Sequence, residues 1–351
     1  MPDIVFAIPG DITAKTGGYI YDWHVLRSLP EFGWRVRHLE LPGDYPYPSE
    51  ASLRETERLL QSTPADSLLV IDGLAFGAMP ADLIERVNRR IVGLVHHPLS
   101  LEAGISEERA AYFKRSEREA LAHAVHVLVT SPSTGELLTR DFAVPAAQIT
   151  VAEPGTDPAE RARPADGPPR LLSVGSVTEH KGYGVLLRAL VEIQDLAWDS
   201  IIVGSLERDT GMVKHIRQAA VENGLEKRIL LRGALEQDEL DNEYLAATLF
   251  VLPSYFEGYG MAFAEAMTRG LPVVACAAGA VPKTVPADCG ILVPPGDASA
   301  LAAALRKLLS VPSELQARAD AAWAHGRQLP TWRDTTQRFA AGLDRAMQEN
   351  A

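Results

Sequence analysis

Two glutamates frame a glycine-rich turn in the second half of the sequence. Glu257 lies just before Gly258 and Gly260, and Glu265 lies shortly after them. Glycine lets a backbone approach a ligand closely, and the unpaired N–H groups of a helix that starts there attract an anion such as phosphate. A carboxylate would repel that phosphate, so each glutamate is better suited to accept hydrogen bonds from ribose or sugar hydroxyls.

The same stretch has a simpler interpretation. The apolar run that ends at Leu252 predicts a strand, Pro253 and Ser254 break it, and a helix is expected from about Met261 to Gly270. An ordinary strand, turn and helix with two solvated glutamates would show the same pattern. The stretch alone leaves both interpretations open.

A second charged turn follows the predicted strand Arg170 to Val174 and has the sequence V-G-S-V-T-E-H-K-G-Y. Gly175 allows a close approach, and Lys181 places a cation at a predicted helix start, where a diphosphate is already attracted. A lysine there opposes the helix dipole, which disfavours a purely structural surface role. The two turns together predict a site that stabilises charge on a leaving group.

Gly17 and Gly18 follow the first predicted strand, Ile4 to Ile8, where a doubly wound fold has its nucleotide-binding loop. The spacing does not match G-x-G-x-x-G, which disfavours a nicotinamide-dependent dehydrogenase. A helix-start turn that needs glycine for its backbone angles is the simpler alternative.

Two adjacent histidines follow the predicted strand Ile91 to Val95, at the strand end where parallel sheets bind ligands. A histidine there can hold or polarise a sugar hydroxyl. Successive side chains of an extended strand point to opposite faces, so we expect one of His96 and His97 to be structural. Only Glu102 is nearby in the usual class of metal ligands, and we predict no metal site.

Strand and helix patterns alternate along the chain, which predicts the α/β class with parallel sheets covered by helices on both faces. The 351 residues suffice for two domains, each with its own core. Residues 158–169 are rich in proline and poor in apolar groups, which is typical of a linker. We therefore predict domains at 1–160 and 170–330, followed by a terminal helix at 331–351.

The pattern S-x-x-E-G-x-G-x-x-x-x-E-A-M-x-x-G-x-P-V-V-A around Glu257 and Glu265 resembles the signature of the retaining glycosyltransferases of family 4, the glycosyl transferases group 1. H-H-P-L at His96 and V-G-S-V-T-x-x-K-G at Lys181 look like a subgroup variant. The resemblance covers nearly all of the chain. It implies the GT-B fold: two Rossmann-like, doubly wound parallel-sheet domains that face a cleft, the first for the acceptor and the second for a nucleotide sugar. It also implies that the terminal helix crosses back to the first domain.

The resemblance implies roles for the matching residues. Glu257 would lie by the donor sugar, Glu265 would bind the ribose, and Lys181 would bind the diphosphate. A histidine, with His96 slightly favoured over His97, would contact the donor sugar, so His96, His97, Glu257 and Lys181 form the implied catalytic set. The further donor-binding residues that it implies are Gly17, Gly18, Gly175, Ser176, Gly233, Leu235, Gly258, Tyr259, Gly260 and Met261.

Ser176 departs from the commonest family pattern, in which an arginine follows the glycine. The departure leaves one fewer charge for the diphosphate. Either His180 or a residue of the first domain compensates, or the donor is held more loosely.

The resemblance implies a retaining, metal-independent transferase that needs no cofactor. Its donor would be a UDP- or GDP-sugar, and its acceptor a sugar, a lipid-linked compound or a small molecule. Two alternatives stay open: a nucleotide-sugar epimerase or hydrolase of the same fold, and a non-catalytic sugar-nucleotide-binding protein. The combination of Glu257, Glu265 and Lys181 disfavours the second alternative, which Ser176 mildly favours.

The composition limits the classes of binding partner that this chain is expected to have. A net charge of −12 disfavours nucleic acid, although a local basic patch leaves peripheral membrane contact open. We see no basic leader and no apolar run near the roughly 18 residues of a membrane span. Two cysteines make no disulfide framework or metal cluster, so we expect a cytoplasmic protein.

Overall fold

The computed structural model describes residues 2–102, 104–164 and 166–348. The chain divides into two compact units, one formed by residues 1–155 with 330–351 and the other by residues 156–329. The segment expected as a linker falls within the second unit, where the N–H groups of Ala162 and Arg163 donate to the carbonyls of Arg269 and Leu245.

The strands of the first unit form a parallel sheet. They are β1 (Asp3–Pro9), β2 (Arg35–Leu41), β3 (Leu68–Asp72), β4 (Arg90–Val95), β5 (His126–Val129) and β6 (Ile149–Val151). Their order is β2-β1-β3-β4-β5-β6. β3 is buried along its whole length and β4 is buried from Ile91 to Val95, as expected of a parallel sheet that is covered on both faces. The carboxyl ends of β1, β3 and β4 therefore lie side by side.

Helices cover this sheet. They are α1 (Gly17–Ser28), α2 (Glu50–Gln61), α3 (Gly73–Phe76), α4 (Ala81–Val87), α5 (Glu107–Leu121) and α6 (Pro132–Asp141), with 3₁₀ turns at Leu29–Phe32, Leu99–Leu101 and Ala146–Gln148. Thr16 caps α1 by accepting from the N–H of Tyr19 at 3.4 Å, which fixes the start of the helix that follows the first strand.

The second unit repeats the plan. Its strands are β7 (Arg170–Val174), β8 (Asp199–Val203), β9 (Ile229–Gly233), β10 (Leu249–Leu252), β11 (Val273–Cys276) and β12 (Gly290–Val293). They are parallel in the order β12-β11-β10-β7-β8-β9. Because β7 and β10 are neighbours, the turns that follow them lie next to each other although they are far apart in sequence.

The helices of the second unit are α7 (Tyr183–Glu192), α8 (Thr210–Glu222), α9 (Gln237–Ala246), α10 (Met261–Thr268), α11 (Val281–Thr284), α12 (Ala298–Ser310) and α13 (Pro312–Gly326), with a 3₁₀ turn at Glu179–Lys181. A last helix, α14 (Trp332–Gln348), packs on the sheet of the first unit, where Phe339 lies 6.1 Å from Phe6 between ring centroids. Residues 349–351 of the expected terminal helix lie outside the described residues. Two parallel sheets, each flanked by helices, confirm the predicted α/β fold class.

Within the described residues, no helix combines the length and the apolar character that crossing a membrane requires.

Glu117 of α5 fixes the turn that follows the two histidines. Its buried carboxylate accepts hydrogen bonds from the N–H groups of Leu99, at 2.8 Å, and Ser100, at 3.3 Å. Burial raises the pKa of Glu117 to about 8 from an ordinary value of 4.5, and the two backbone donors oppose burial only in part. The turn therefore rests on a carboxyl group that titrates near neutral pH.

We expect Glu117→Gln to change how stability depends on pH. Protonation of Glu117 favours the folded state, so its contribution is complete below pH 4.5 and is lost as the pH rises to about 8. Gln does not titrate, so the melting temperature of the wild type should fall relative to that of the variant between pH 5 and 8. Thermal unfolding at several pH values measures this difference. Glu119→Gln, at an exposed site on the same helix, is the control, and a pH-independent difference at Glu117 would contradict the expectation.

Candidate functional site

An ion pair joins the two charged turns of the second unit. Lys181 Nζ lies 2.7 Å from Glu257 Oε1, and the two side chains are only 19% and 13% exposed. Burial alone would raise the pKa of Glu257, but Lys181, together with Ser254 and His180, outweighs burial and holds that pKa below its ordinary value. The sequence named both residues; the structure brings them into direct contact.

Two glycines allow the turns to approach. Gly182 has φ of +73°, and an added Cβ would overlap the carbonyl oxygen of Pro253. Gly279 has φ of +56°, and a Cβ there would overlap the carbonyl oxygen of Glu257, which accepts from the N–H of Ala280 at 2.9 Å. A side chain at either position would push the backbone of the Glu257 turn away. Lys181 and Glu257 can therefore come into contact because glycine at these two positions lets the turns pack closely.

Glu265 lies in the second turn of α10 and is held from α9. The hydroxyl of the fully buried Tyr244 donates to Glu265 Oε2 at 3.0 Å. Arg269 lies over the Tyr244 ring at 4.4 Å from its centroid and donates to the carbonyl oxygen of Glu265 at 3.0 Å. Burial raises the pKa of Glu265, although Arg269 and Tyr244 act against it. The carboxyl group is thus fixed in position by neighbours that the sequence did not single out.

The carboxyl ends of β7, β8 and β9 meet at glycines. The N–H of Gly175 donates to the Val203 carbonyl at 2.8 Å, and the N–H of Gly204 donates to the Gly233 carbonyl at 2.9 Å. A Cβ on Gly204 would overlap the carbonyl oxygen of Gly175. Leu235 follows Gly233 and packs on the core of the unit.

The turn between β10 and α10 contains the remaining donor-binding candidates, Gly258, Tyr259, Gly260 and Met261. Gly260 has φ of +92° and precedes the first residue of α10, Met261. The carbonyl of the buried Tyr259 accepts from Thr284 Oγ1 at 2.7 Å. The glycine-rich turn is therefore anchored to α11 and leads directly into a helix N-terminus.

Ser176 and His180 lie close together in the turn after β7. Thr178 Oγ1 lies 3.4 Å from the Ser176 carbonyl oxygen and 3.0 Å from His180 Nδ1. The His180 carbonyl accepts from the N–H of Tyr255 at 2.9 Å. His180 is also near enough to help lower the pKa of Glu257, after the larger effects of burial and Lys181. The sequence analysis named His180 or a residue of the first domain as the source of charge that would compensate for Ser176. Of these two, His180 lies beside the Lys181–Glu257 ion pair.

The first unit has a separate charged group at the ends of β3 and β4. His96 Nε2 lies 3.1 Å from Asp22 Oδ1 and 3.2 Å from Asp72 Oδ2. Asp22 is fully buried on α1, and Asp72 caps α3 by accepting from the N–H of Leu74 at 2.9 Å. A carboxylate oxygen of Asp22, a carboxylate oxygen of Asp72 and a ring nitrogen of His96 all lie within 4.8 Å of one another. The imidazole therefore faces two carboxylates with one nitrogen.

His97 contacts a different partner. Its Nε2 lies 2.9 Å from Glu102 Oε2, and both side chains are more than a third exposed. Gly18 instead lies against the ring of His96, where a Cβ would be 3.4 Å from Cδ2, while Gly17 begins α1. The two histidines thus have separate environments.

Asp22, Tyr244 and Arg269 are site residues that the sequence analysis missed. Asp22 stands among apolar residues on the buried face of α1, with Tyr21 and Val25. A charged residue on such a face was the available signal. Tyr244 gave no signal of its own, because aromatic residues on a helix commonly belong to the core.

Two family models together match most of the chain. The model described as Glycosyl transferases group 1 matches residues 157–323, and the model described as Glycosyl transferase 4-like domain matches residues 16–155. The chain belongs to the group 1 glycosyltransferases. The resemblance to family 4 and the expected enzyme class are confirmed.

This glycosyltransferase is similar to proteins of known activity and structure. It is 27% identical over 321 residues to the MMP alpha-(1->4)-mannosyltransferase of Mycolicibacterium hassiacum, covering 86% of this chain and 76% of that protein. Sucrose-phosphate synthase from Thermosynechococcus elongatus has the same fold with a TM-score of 0.83 at 23% identity, covering 99% and 100% of the chains. HepE from Anabaena, solved in complex with UDP-glucose, has a TM-score of 0.78 at 19% identity, covering 97% and 99%. These neighbours establish the GT-B fold.

Gly279→Ala should destabilise this glycosyltransferase more than Gly224→Ala. Both glycines have positive φ, at +56° and +67°, so both substitutions carry a backbone cost of about 1–2 kcal/mol. Nothing lies within 4 Å of a Cβ at Gly224, whereas a Cβ at Gly279 overlaps the Glu257 carbonyl oxygen, which should add about 1–3 kcal/mol. Urea unfolding of the two variants measures the difference. Equal losses would contradict the steric role of Gly279.

Proposed function

We propose that this chain is a retaining glycosyltransferase that transfers a hexosyl group from a UDP- or GDP-sugar to an acceptor hydroxyl. The Lys181–Glu257 pair, beside the N-terminus of α10, is the observation that carries the proposal. The Lys181 cation and the backbone N–H groups at the start of the helix suit a diphosphate. The Glu257 carboxylate suits sugar hydroxyls.

Lys181 is assigned to the diphosphate of the donor. Its ammonium group is mostly buried, and a buried cation gains more from an anion than an exposed one does. In the ligand-free protein Glu257 neutralises this cation. When the diphosphate binds, Lys181 interacts with its oxygens, and Glu257 becomes an acceptor for a hydroxyl of the sugar. The commonest family pattern has an arginine at the position of Ser176. His180 is assigned to supply part of the positive charge that such an arginine would direct at the diphosphate.

Glu265 is assigned to the ribose. Tyr244 occupies one of its oxygens, and the second oxygen accepts from a ribose hydroxyl. Gly233 and Leu235, which follow β9, are assigned to the nucleotide base. The solved complex of HepE with UDP-glucose, a protein of the same fold, supports a nucleotide-sugar donor.

Retention follows from a same-face substitution in this proposal. The bond between the anomeric carbon and the diphosphate oxygen breaks, and its electron pair leaves with the diphosphate. The acceptor oxygen then bonds to the anomeric carbon on the face that the diphosphate left, and its proton passes to a diphosphate oxygen. Lys181 and the N–H groups at the start of α10 stabilise the charge on the leaving group.

The acceptor is assigned to the first unit. A sugar, a lipid-linked compound and a small molecule all offer the required hydroxyl. The mannosyltransferase relative supports a hexosyl group as the one transferred. A cytoplasmic location stays a prediction from the sequence.

Replacing Lys181 tests the donor site. Lys181→Met combined with Glu257→Gln removes both charges, so that neither is left buried without a partner. The loss of a charge-assisted hydrogen bond should weaken binding of the preferred nucleoside diphosphate by about 10- to 100-fold. Calorimetry with UDP, GDP and ADP measures the dissociation constants.

Lys307→Met is the matched control, since Lys307 pairs with Glu314 at 2.7 Å on the surface of the same unit. It should bind nucleotides as the wild type does. Unchanged affinity in the Lys181→Met/Glu257→Gln variant, or a wild type that binds none of the nucleotides, would refute the proposed donor site.

The stereochemistry of the product tests the mechanism. With sugars of the nucleoside diphosphate that calorimetry identifies as donors and an acceptor from a panel of sugars, the transferred sugar should have the anomeric configuration of the donor. NMR of freshly formed product reads this from the one-bond coupling between anomeric carbon and proton. An inverted product would refute retention. Fast donor turnover without any acceptor would favour the hydrolase or epimerase instead.

A further inference from the structure

Two buried carboxylates face a single nitrogen of His96 in the first unit. Asp22 Oδ1 and Asp72 Oδ2 approach Nε2 at 3.1 and 3.2 Å, and the aspartates are 0% and 3% exposed. The carboxylates come from α1 and from the end of β3, which are distant in sequence. A neutral imidazole has one N–H donor, and a carboxylate only accepts, so this arrangement requires a proton on Nε2.

The ring is oriented from several sides. Its atoms nearest to Gly18 are Cδ2, Nε2 and Cγ, so the edge that contains Nδ1 and Cε1 faces away from α1. Tyr21 packs edge-on against the ring at 5.3 Å between centroids. Thr130 Oγ1 donates to the His96 carbonyl at 3.1 Å and holds the backbone. The side chain is one-fifth exposed, and the edge that contains Nδ1 is the one turned away from α1.

The charges around the ring favour its protonated form. Burial alone would lower the pKa of His96, but Asp22 and Asp72 outweigh burial and raise it to about 10. Burial also raises the pKa of Asp22 to about 6, with His96 acting against burial. Tyr21, the other titratable group of α1 against the ring, donates its hydroxyl to the Ala152 carbonyl at 2.9 Å and stays neutral, since burial raises its pKa.

We propose that Asp22 and Asp72 are positioning residues that keep His96 as an imidazolium whose Nδ1–H donates to a neutral oxygen of a bound substrate. The two carboxylates and the imidazolium sum to a net charge of −1, so the group disfavours a phosphate and favours a sugar hydroxyl. With both nitrogens protonated, His96 acts as a fixed donor and accepts no proton from the substrate. The identity of the ligand rests on the proposed function; the state of the ring does not.

NMR of protein with ¹⁵N-labelled histidine tests the state of the ring without any substrate. The His96 signals are assigned by their loss in His96→Gln. In the wild type they should report a doubly protonated ring from pH 6 to 9. Asp22→Asn removes one adjacent negative charge, so the midpoint of the His96 titration should fall by about one to three pH units. Glu102→Gln, which changes only the partner of the neighbouring His97, should leave the His96 signals unchanged.

The pH profile of transfer is the second measurement. Wild-type kcat/KM should show no inflection from His96 between pH 6 and 9, whereas that of Asp22→Asn should fall as the pH passes the new midpoint and recover at lower pH. A purely structural role of Asp22 would lower activity equally at all pH values and would count against the proposal.

Two NMR outcomes would overturn the proposal: a wild-type ring that titrates near pH 6.5, or an unchanged midpoint in Asp22→Asn. A third outcome, loss of the Nε2 proton on addition of equimolar Zn²⁺, would identify the group as a metal site instead. If no donor is ever transferred, the proposed function fails while the NMR result still decides the state of His96.

Discussion

The contact between Lys181 and Glu257 is the constraint on which the second unit's site depends. A buried ion pair is tolerated only when its attraction offsets the loss of hydration, which requires the short distance of 2.7 Å seen here. That distance requires the turns after β7 and β10 to pack backbone against backbone. The packing in turn requires neighbouring strands in the sheet order and glycine at positions 182 and 279.

The two units stabilise their buried charged groups in different ways. In the second unit one cation meets one carboxylate, and in the proposed donor site a ligand anion would replace that carboxylate as the partner of Lys181. In the first unit one imidazole meets two carboxylates, and the excess negative charge holds the proton in place. The first arrangement suits an interaction that changes when a ligand binds, and the second suits a donor that stays constant.

Much of the fold could be predicted from the sequence, because buried parallel strands are continuous apolar runs and glycine marks the turns between strand and helix. The strand Arg170–Val174 has the bounds that were expected. The helix Ala81–Val87 was missed because it is short, and α13 because its apolar pattern is weak. The site residues Lys181 and Glu257 could be named separately, but their contact depends on the strand order. Asp22 was missed for a related reason: its partner His96 follows β4, and only the folded sheet places it beside α1.

The position of α14 has a consequence for how the protein is made. Phe339 and Leu343 of this helix belong to the core of the first unit, and Gly342 lets the helix lie close against Leu128 and Thr150. A ribosome synthesises all of β1 to β6 and then the whole second unit before it reaches α14. During that time the part of the first sheet that α14 covers has no partner, while the second unit already has the strands and helices of its core. The second unit can therefore complete its fold first, and the domain that begins the chain is the last to be finished.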